Sequence, residues 1–179
     1  MHDPRRIELE NRYRVLRHAA RLAVMAELAG TDRSSIRLAE IGAEALAACQ
    51  RWKNRRVNWD WQQLVRTLRG RHRRIELAIW NDPMLCGLAI GKISDGRVIA
   101  RIDYWERAPG NHPLVGLIGE IATLYLQTVG VLVGCHEAVL SSPLMALLDF
   151  YRELGQSSQV KEFPRKYAEN AINSLTFQL

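Results

Sequence analysis

The pattern of hydrophobic and polar positions changes near residue 74. Before it, apolar residues recur every three or four positions, which is the spacing of one face of an α-helix. The first predicted helix has its apolar face on Leu9, Tyr13, Leu16, Ala20 and Ala23. Four arginines are predicted to lie mostly off that face: Arg12, Arg14, Arg17 and Arg21.

Two further helices are predicted before residue 74. Gly30 ends the first helix, and Asp32 or Ser34 is a plausible N-cap for the second. The apolar positions of the second helix are Leu38, Ile41, Ala45, Ala48 and Trp52. A third helix is predicted over residues 59–69, with Asn58 as its cap and Gly70 at its end.

After residue 74 the pattern is typical of strands. Apolar segments at 75–80, 84–93 and 98–105 are separated by turns at 81–83 and 94–96. This spacing predicts a three-stranded antiparallel meander. In its third strand, alternation places four side chains on one face: Val98, Ala100, Ile102 and Tyr104.

The remaining segments complete a mixed α/β pattern. A helix is predicted over 114–129, a short strand over 138–140, and a helix over 142–154 that Gly155 ends. Two last strands are predicted at 160–163 and 174–179. We therefore predict a single domain over residues 1–179, with a helical, basic part at 1–70 and a sheet-containing core at 71–179.

The composition is that of an ordinary soluble protein. The chain has 179 residues, of which 47% are hydrophobic and 25% charged, and this excludes a disordered or collagen-like chain. No apolar run reaches the roughly 18 residues of a membrane span, and no secretory signal is recognised. Three scattered cysteines, Cys49, Cys86 and Cys135, predict reduced core residues of a cytoplasmic protein and no metal site.

Charge is distributed unevenly along the chain. Residues 1–74 carry a net charge of +9, and residues 75–179 carry −3. A basic half favours an anionic partner such as a nucleic acid, a phosphorylated cofactor, a membrane surface or an acidic protein face. An Arg-rich helix surface in contact with water explains the same charge, and the sequence leaves both interpretations open.

The passage from strand to helix at residues 102–121 could bind a phosphate group. Glycines at 110, 116 and 119 near a helix start leave backbone N–H groups open to an anion. No Walker-type or Rossmann glycine pattern is present, which argues against nucleotide hydrolysis and dinucleotide binding.

Two motifs, one after this passage and one within it, resemble those of a known protein family. The segment Leu148-x-x-Tyr151-x-x-Leu154-Gly155 resembles the closing motif of the GNAT superfamily of acyl-CoA-dependent N-acyltransferases. The loop Asn111-His-Pro-Leu-Val-Gly116 resembles that of a divergent bacterial subgroup. The resemblance covers residues 75–155 and implies a mixed, mostly antiparallel sheet flanked by helices, here with extra N-terminal helices. The usual first strand is not recognised in the sequence.

The resemblance also implies a reaction, in which acetyl-CoA enters a wedge between the strand ending near Trp105 and the strand at 138–140, and an acetyl group passes to a primary amine. Backbone groups of Tyr104, Trp105 and Glu106 would bind the pantetheine arm. Backbone N–H groups would bind the pyrophosphate: Leu114, Val115, Gly116 and Leu117.

Acid and base roles follow from the same resemblance. Tyr151 would protonate the departing thiolate as general acid. Glu106 is the first candidate for the base that deprotonates the amine, with Asp103 and His112 behind it. The chain departs from the family's phosphate loop at three positions, Asn111, Pro113 and Leu114, and has Gln156 where the closing motif has Phe.

Other functions remain open at this stage. A non-catalytic protein of this fold could bind a protein or a nucleic acid through the basic helical half. Trp52, Trp59 and Trp61 near the 51–56 basic cluster would then stack on bases, although burial of these tryptophans between helices and sheet is the favoured interpretation. The two added helices could also form a homodimer interface.

Overall fold

The computed structural model describes residues 4–29, 35–57, 59–141 and 174–179. These residues form α1 (Pro4–Ala29), β1 (Ile36–Ala39), α2 (Ala43–Gln50), α3 (Trp61–Arg69), β2 (Arg74–Asn81), β3 (Met84–Ile93), β4 (Ile99–Arg107), α4 (Ile118–Val133), β5 (Glu137–Ser141) and β6 (Ser174–Gln178). The helix predicted over 142–154 and the strand predicted at 160–163 lie outside the described residues.

The strands form one six-stranded sheet in the order β1-β2-β3-β4-β5-β6. All neighbouring strands are antiparallel except β4 and β5, which are parallel. Helices α1 and α4 cover one face through a shared hydrophobic core, while α2 and α3 pack on the other face. The predicted meander (β2–β4) is confirmed, and so is the mixed, mostly antiparallel sheet flanked by helices.

The prediction of a continuous second helix is wrong in its first part. Ile36–Ala39 is a strand that pairs with β2 through the register Ile36↔Asn81 to Ala39↔Ala78. Ile36 and Leu38 point into the core under α1, because residues two apart share one face of a strand. The part of the chain predicted to be helical therefore contains the first strand of the sheet, and α2 begins only at Ala43.

Two helix starts also differ from the prediction. The side chain of Asp60 accepts a hydrogen bond of 2.8 Å from the Gln63 backbone N–H, so Asp60 caps α3 and the helix begins at Trp61. Asn58, the predicted cap, lies outside the described residues. Helix α4 begins at Ile118 rather than at Leu114, because residues 113–117 form turns.

The buried face of α1 includes two arginines. Arg17 and Arg21 are only 2% and 7% exposed, whereas Leu9 is 39% exposed, so the predicted apolar face is shifted. Arg17 donates hydrogen bonds from Nη1 to the His72 carbonyl (3.0 Å) and from Nη2 to Glu10 Oε1 (2.8 Å). These bonds make burial of the Arg17 charge tolerable and fix α1 to the start of β2.

A β-bulge lies in the middle of β4. Gly91 pairs with Ile102 but Ile90 pairs with Tyr104, so Asp103 is the extra residue. Ala100 and Ile102 point into the core under α1 and α4, whereas Tyr104 packs on the α2–α3 side. The prediction that Tyr104 shares a face with Ala100 is wrong, because the bulge reverses the alternation.

The three cysteines are buried and free, as predicted. Burial raises the pKa of Cys49 to about 11, so its thiol stays protonated at neutral pH. Among the described helices, none is long and apolar enough to cross a membrane.

Candidate active site

The C-terminal half of β4 extends beyond its pairing with β5. Four of its nine residues pair with β5, from Ile99↔Glu137 to Ile102↔Leu140, and residues 103–107 continue past the last pair. The Ala108 N–H donates to the Cys86 carbonyl (2.8 Å) on the β3 side. Because backbone groups alternate in direction along a strand, the peptide groups of Trp105 and Arg107 face the β5 side.

The loop before α4 uses most of its own N–H groups. Leu114 N–H donates to His112 Nδ1 (3.2 Å), Val115 N–H to the His112 carbonyl (3.1 Å), and Leu117 N–H to the Leu114 carbonyl (3.0 Å). The first bond inside α4 runs from Ile121 N–H to the Leu117 carbonyl (3.0 Å). Of the four N–H groups predicted to bind pyrophosphate, only that of Gly116 donates to no acceptor in the described part of the chain.

Open donors continue into the first turn of α4. The N–H groups of Ile118 and Gly119 have no backbone acceptor among residues 4–29, 35–57, 59–141 and 174–179, as expected for the start of a helix. Gly116 has φ +87°, a conformation that L side chains rarely adopt, and this residue turns the chain into α4. Gly116, Ile118 and Gly119 thus form a short row of donors at the positive end of the helix.

His112 organises this loop. It is 7% exposed, and its Nδ1 accepts the Leu114 bond, so the neutral ring carries its proton on Nε2. Burial, and then the charge of Arg107, lower the pKa of His112 and favour that neutral form. His112, a reserve candidate for the base in the sequence, therefore accepts a hydrogen bond within the loop. Its buried Nε2 has no hydrogen-bond partner among the described residues.

Glu106 lies on the other face of the sheet, in a buried ion pair. Its Oε1 accepts from Arg55 Nε (2.7 Å), and its Oε2 accepts from Arg55 Nη2 (2.5 Å) and Trp61 Nε1 (2.7 Å). The side chain of Glu106 is 3% exposed and that of Arg55 18%. Asp103, the second candidate base, is paired with Arg101 at 2.6 Å.

A cavity of about 300 Å³ lies beside this pair, between α2 and α3. Arg55 and Trp61 are in its wall, so the groups that hold Glu106 also line the cavity. Trp59, another wall residue, contacts Tyr104 edge to face with 4.9 Å between ring centroids. The favoured interpretation of the tryptophans is confirmed, since Trp61 is in the core and Trp52 and Trp59 pack against it.

No protein-family model matches the chain, and the search of curated proteins found no match in sequence. Several solved structures nevertheless resemble its fold. Ribosomal-protein-S18-alanine N-acetyltransferase from Escherichia coli matches with a TM-score of 0.57 and 14% identity over 80% of this chain and 93% of that one. A mutant of spermidine N-acetyltransferase from Vibrio cholerae matches with a TM-score of 0.59 and 13% identity over 81% and 94%. A GNAT-family protein from Desulfovibrio desulfuricans matches with a TM-score of 0.57 and 11% identity over 80% and 98%.

The chain has the GNAT fold.

Within the GNAT fold, the predicted site residues fall into two groups. Trp105 lies in the part of β4 beyond its pairs with β5, and residues 114–117 lead into α4, whereas the side chains of Tyr104 and Glu106 lie on the α2–α3 face. Tyr151 lies outside the described residues. The roles of all these residues stay predictions.

Sequence reasoning missed the partners of Glu106. Arg55 and Trp61 are 51 and 45 residues away from Glu106 along the chain, and the only feature that the sequence analysis noted in their segment was the basic cluster at 51–56.

No group of three or more metal-ligating side chains occurs in the part of the chain that the structure describes.

Proposed function

We propose that this protein is an N-acetyltransferase that transfers the acetyl group of acetyl-CoA to a primary amine. The observation that carries the proposal is the course of β4, which runs five residues past its last pair with β5 and forms one side of the proposed acetyl-CoA cleft. A strand edge of this kind can hydrogen-bond an extended amide-containing arm as another strand would.

The donors near α4 fit a pyrophosphate. Gly116, Ile118 and Gly119 offer N–H groups at a helix start, where the helix dipole favours negative charge. In this proposal they replace Leu114, Val115 and Leu117, whose N–H groups are used within the loop. The buried His112 Nε2 is a further donor that lacks an acceptor among the described residues.

Acetyl-CoA supplies an acetyl group activated as a thioester. The amine nitrogen forms a bond to the carbonyl carbon, the carbon–sulfur bond breaks, and the nitrogen loses a proton. We assign the protonation of the thiolate to Tyr151 and the uptake of the amine proton to Glu106, directly or through water. Glu106 Oε1 accepts one hydrogen bond from the described residues and keeps a second lone pair for a proton.

Calorimetric titration with acetyl-CoA tests the binding step. We expect binding to the unmodified chain, and about tenfold weaker binding to Gly116→Ala, because a Cβ disfavours φ +87° by about 1–2 kcal/mol and the loop then moves out of the conformation that presents the open N–H. Gly134→Ala is the matched control, since Gly134 has φ +81° at the other end of α4 and equally open space around it. Absence of heat at millimolar acetyl-CoA would refute the proposal, and equal losses in both variants would remove the role of Gly116.

Tyr151→Phe tests the acid step. Phenylalanine cannot donate a proton, so we expect kcat for thiol release to fall about a hundredfold while acetyl-CoA affinity stays within about twofold. The assay follows free thiol with a panel of primary amines, and the accepted amine is then used for both proteins. An unchanged kcat would show that another group, or water, protonates the thiolate.

A further inference from the structure

A larger concave surface lies at the opposite end of the sheet. It encloses about 910 Å³ and is built from the start of α1, the α3–β2 connection and the hairpin between β3 and β4. Ile99 lines it, whereas Arg107 ends β4 near the proposed cleft. At about 3.3 Å per residue, the strand separates the two places by roughly 25 Å.

This surface, the basic groove, carries six cationic side chains and one carboxylate. The carboxylate is Asp95, and the cations are Arg5, Arg6, Arg71, Arg73, Lys92 and Arg101. The groove collects them from the start of α1, the α3–β2 connection and both strands of the β3–β4 hairpin, so cations that are far apart in the sequence lie close together. Like charges at this density repel one another, and a bound anion would offset that repulsion.

Some of these charges are neutralised internally and others are not. Arg73 pairs with Asp95 at 2.9 Å and Arg101 with Asp103 at 2.6 Å, but Arg6 donates to a neutral acceptor, the Gly70 carbonyl (2.7 Å). The side chains of Arg71 and Lys92 have no hydrogen-bond or ion-pair partner within the described ranges. The groove therefore keeps several donors for a ligand with more than one negative group.

The shape and the floor of the groove favour a polymer. Two apolar side chains that are at least partly exposed also line the groove, Leu9 and Ile99, and they can contact sugars or bases rather than phosphates. The exposed Arg12 continues the row outside the groove, since it lies two turns beyond Arg5 on the same face of α1, about 10 Å further along the helix.

We propose that the basic groove binds a single strand of nucleic acid through consecutive phosphate groups. Arginine predominates among the cations, and its planar fork suits phosphate oxygens. Because the cations of the groove recognise phosphate groups, which every nucleotide carries, it binds without strong base preference. This site is separate from the acyl-CoA cleft and does not depend on the proposed reaction.

Fluorescence anisotropy with a labelled twelve-nucleotide oligouridylate, over a series of salt concentrations, tests this proposal. If about four phosphates are neutralised, log K should fall with log[salt] with a slope of about −3. The double variant Arg71→Gln/Lys92→Gln should bind about tenfold more weakly and reduce the slope by about 1 to 2. Arg14→Gln/Arg51→Gln removes the same charge from exposed positions outside the groove and should change affinity less than about twofold.

Three results would overturn the proposal. Equal weakening by both double variants would show diffuse attraction to the net charge. Competition by polyglutamate as strong as that of unlabelled oligouridylate would indicate an acidic protein as the ligand. Displacement of the oligonucleotide by acetyl-CoA would make the groove part of the cofactor site. Thermal midpoints equal to that of the unmodified protein would exclude unfolding of the variants as the cause of weaker binding.

Discussion

Gly91→Ala should lower the free energy of unfolding by about 3 kcal/mol, measured by urea titration. A Cβ on Gly91 would lie 1.9 Å from the Arg101 carbonyl oxygen and 2.7 Å from the Ile102 Cα. Both are backbone atoms in the middle of the sheet, so β3 and β4 would have to separate at the bulge. The bulge lies directly before the part of β4 that forms one side of the proposed cleft, so acetyl-CoA affinity should fall together with stability.

Gly96→Ala is the matched control in the same hairpin. A Cβ there would meet only the end of the exposed Val98 side chain, at 3.4 Å from its Cγ2, and the expected change is within about 0.5 kcal/mol. Similar losses of stability for the two substitutions would mean that alanine acts only by removing glycine flexibility. The strands would then accommodate a Cβ at Gly91 with little cost in free energy.

Local periodicity was sufficient for most of the sheet. The meander has strands of eight to ten residues bounded by turn residues, and segments of this kind can be recognised from the sequence alone. The four-residue β1 does not, because Ile36 and Leu38 also fit a helical face continued by Ile41 and Ala45. Only pairing with β2, about 40 residues away, decides between the two patterns.

The candidate site was less accessible from sequence, because its main features depend on contacts between distant segments. The bulge at Asp103 comes from the register with β3 and reverses the side of Tyr104 without any signal in the alternation of β4. Arg17 and Arg21 looked like surface charges, and their burial follows from where α1 crosses the sheet. Glu106 was selected by its position at a strand end, but its partners Arg55 and Trp61 come from the α2–α3 side.

Arg55→Met should also destabilise the protein by about 3 kcal/mol, because it leaves the Glu106 carboxylate buried without its positive partner. Arg56→Met is the matched control, since Arg56 is the neighbouring arginine and is exposed. That variant should stay within about 0.5 kcal/mol of the unmodified protein in the same urea titration. Equal effects of the two substitutions would show that the Arg55–Glu106 pair adds nothing to stability.

The double variant Arg55→Met/Glu106→Gln separates the structural role of Glu106 from the chemical one. Glutamine keeps an oxygen for the Trp61 Nε1–H and removes the buried charge, so most of the stability lost in Arg55→Met should return. A neutral amide cannot take up a proton, so kcat for acetyl transfer should stay about a hundredfold low in this stable protein. If stability and kcat both returned, Glu106 would be a residue that holds the α2–α3 segment against β4, and the amine would lose its proton to another base or to water.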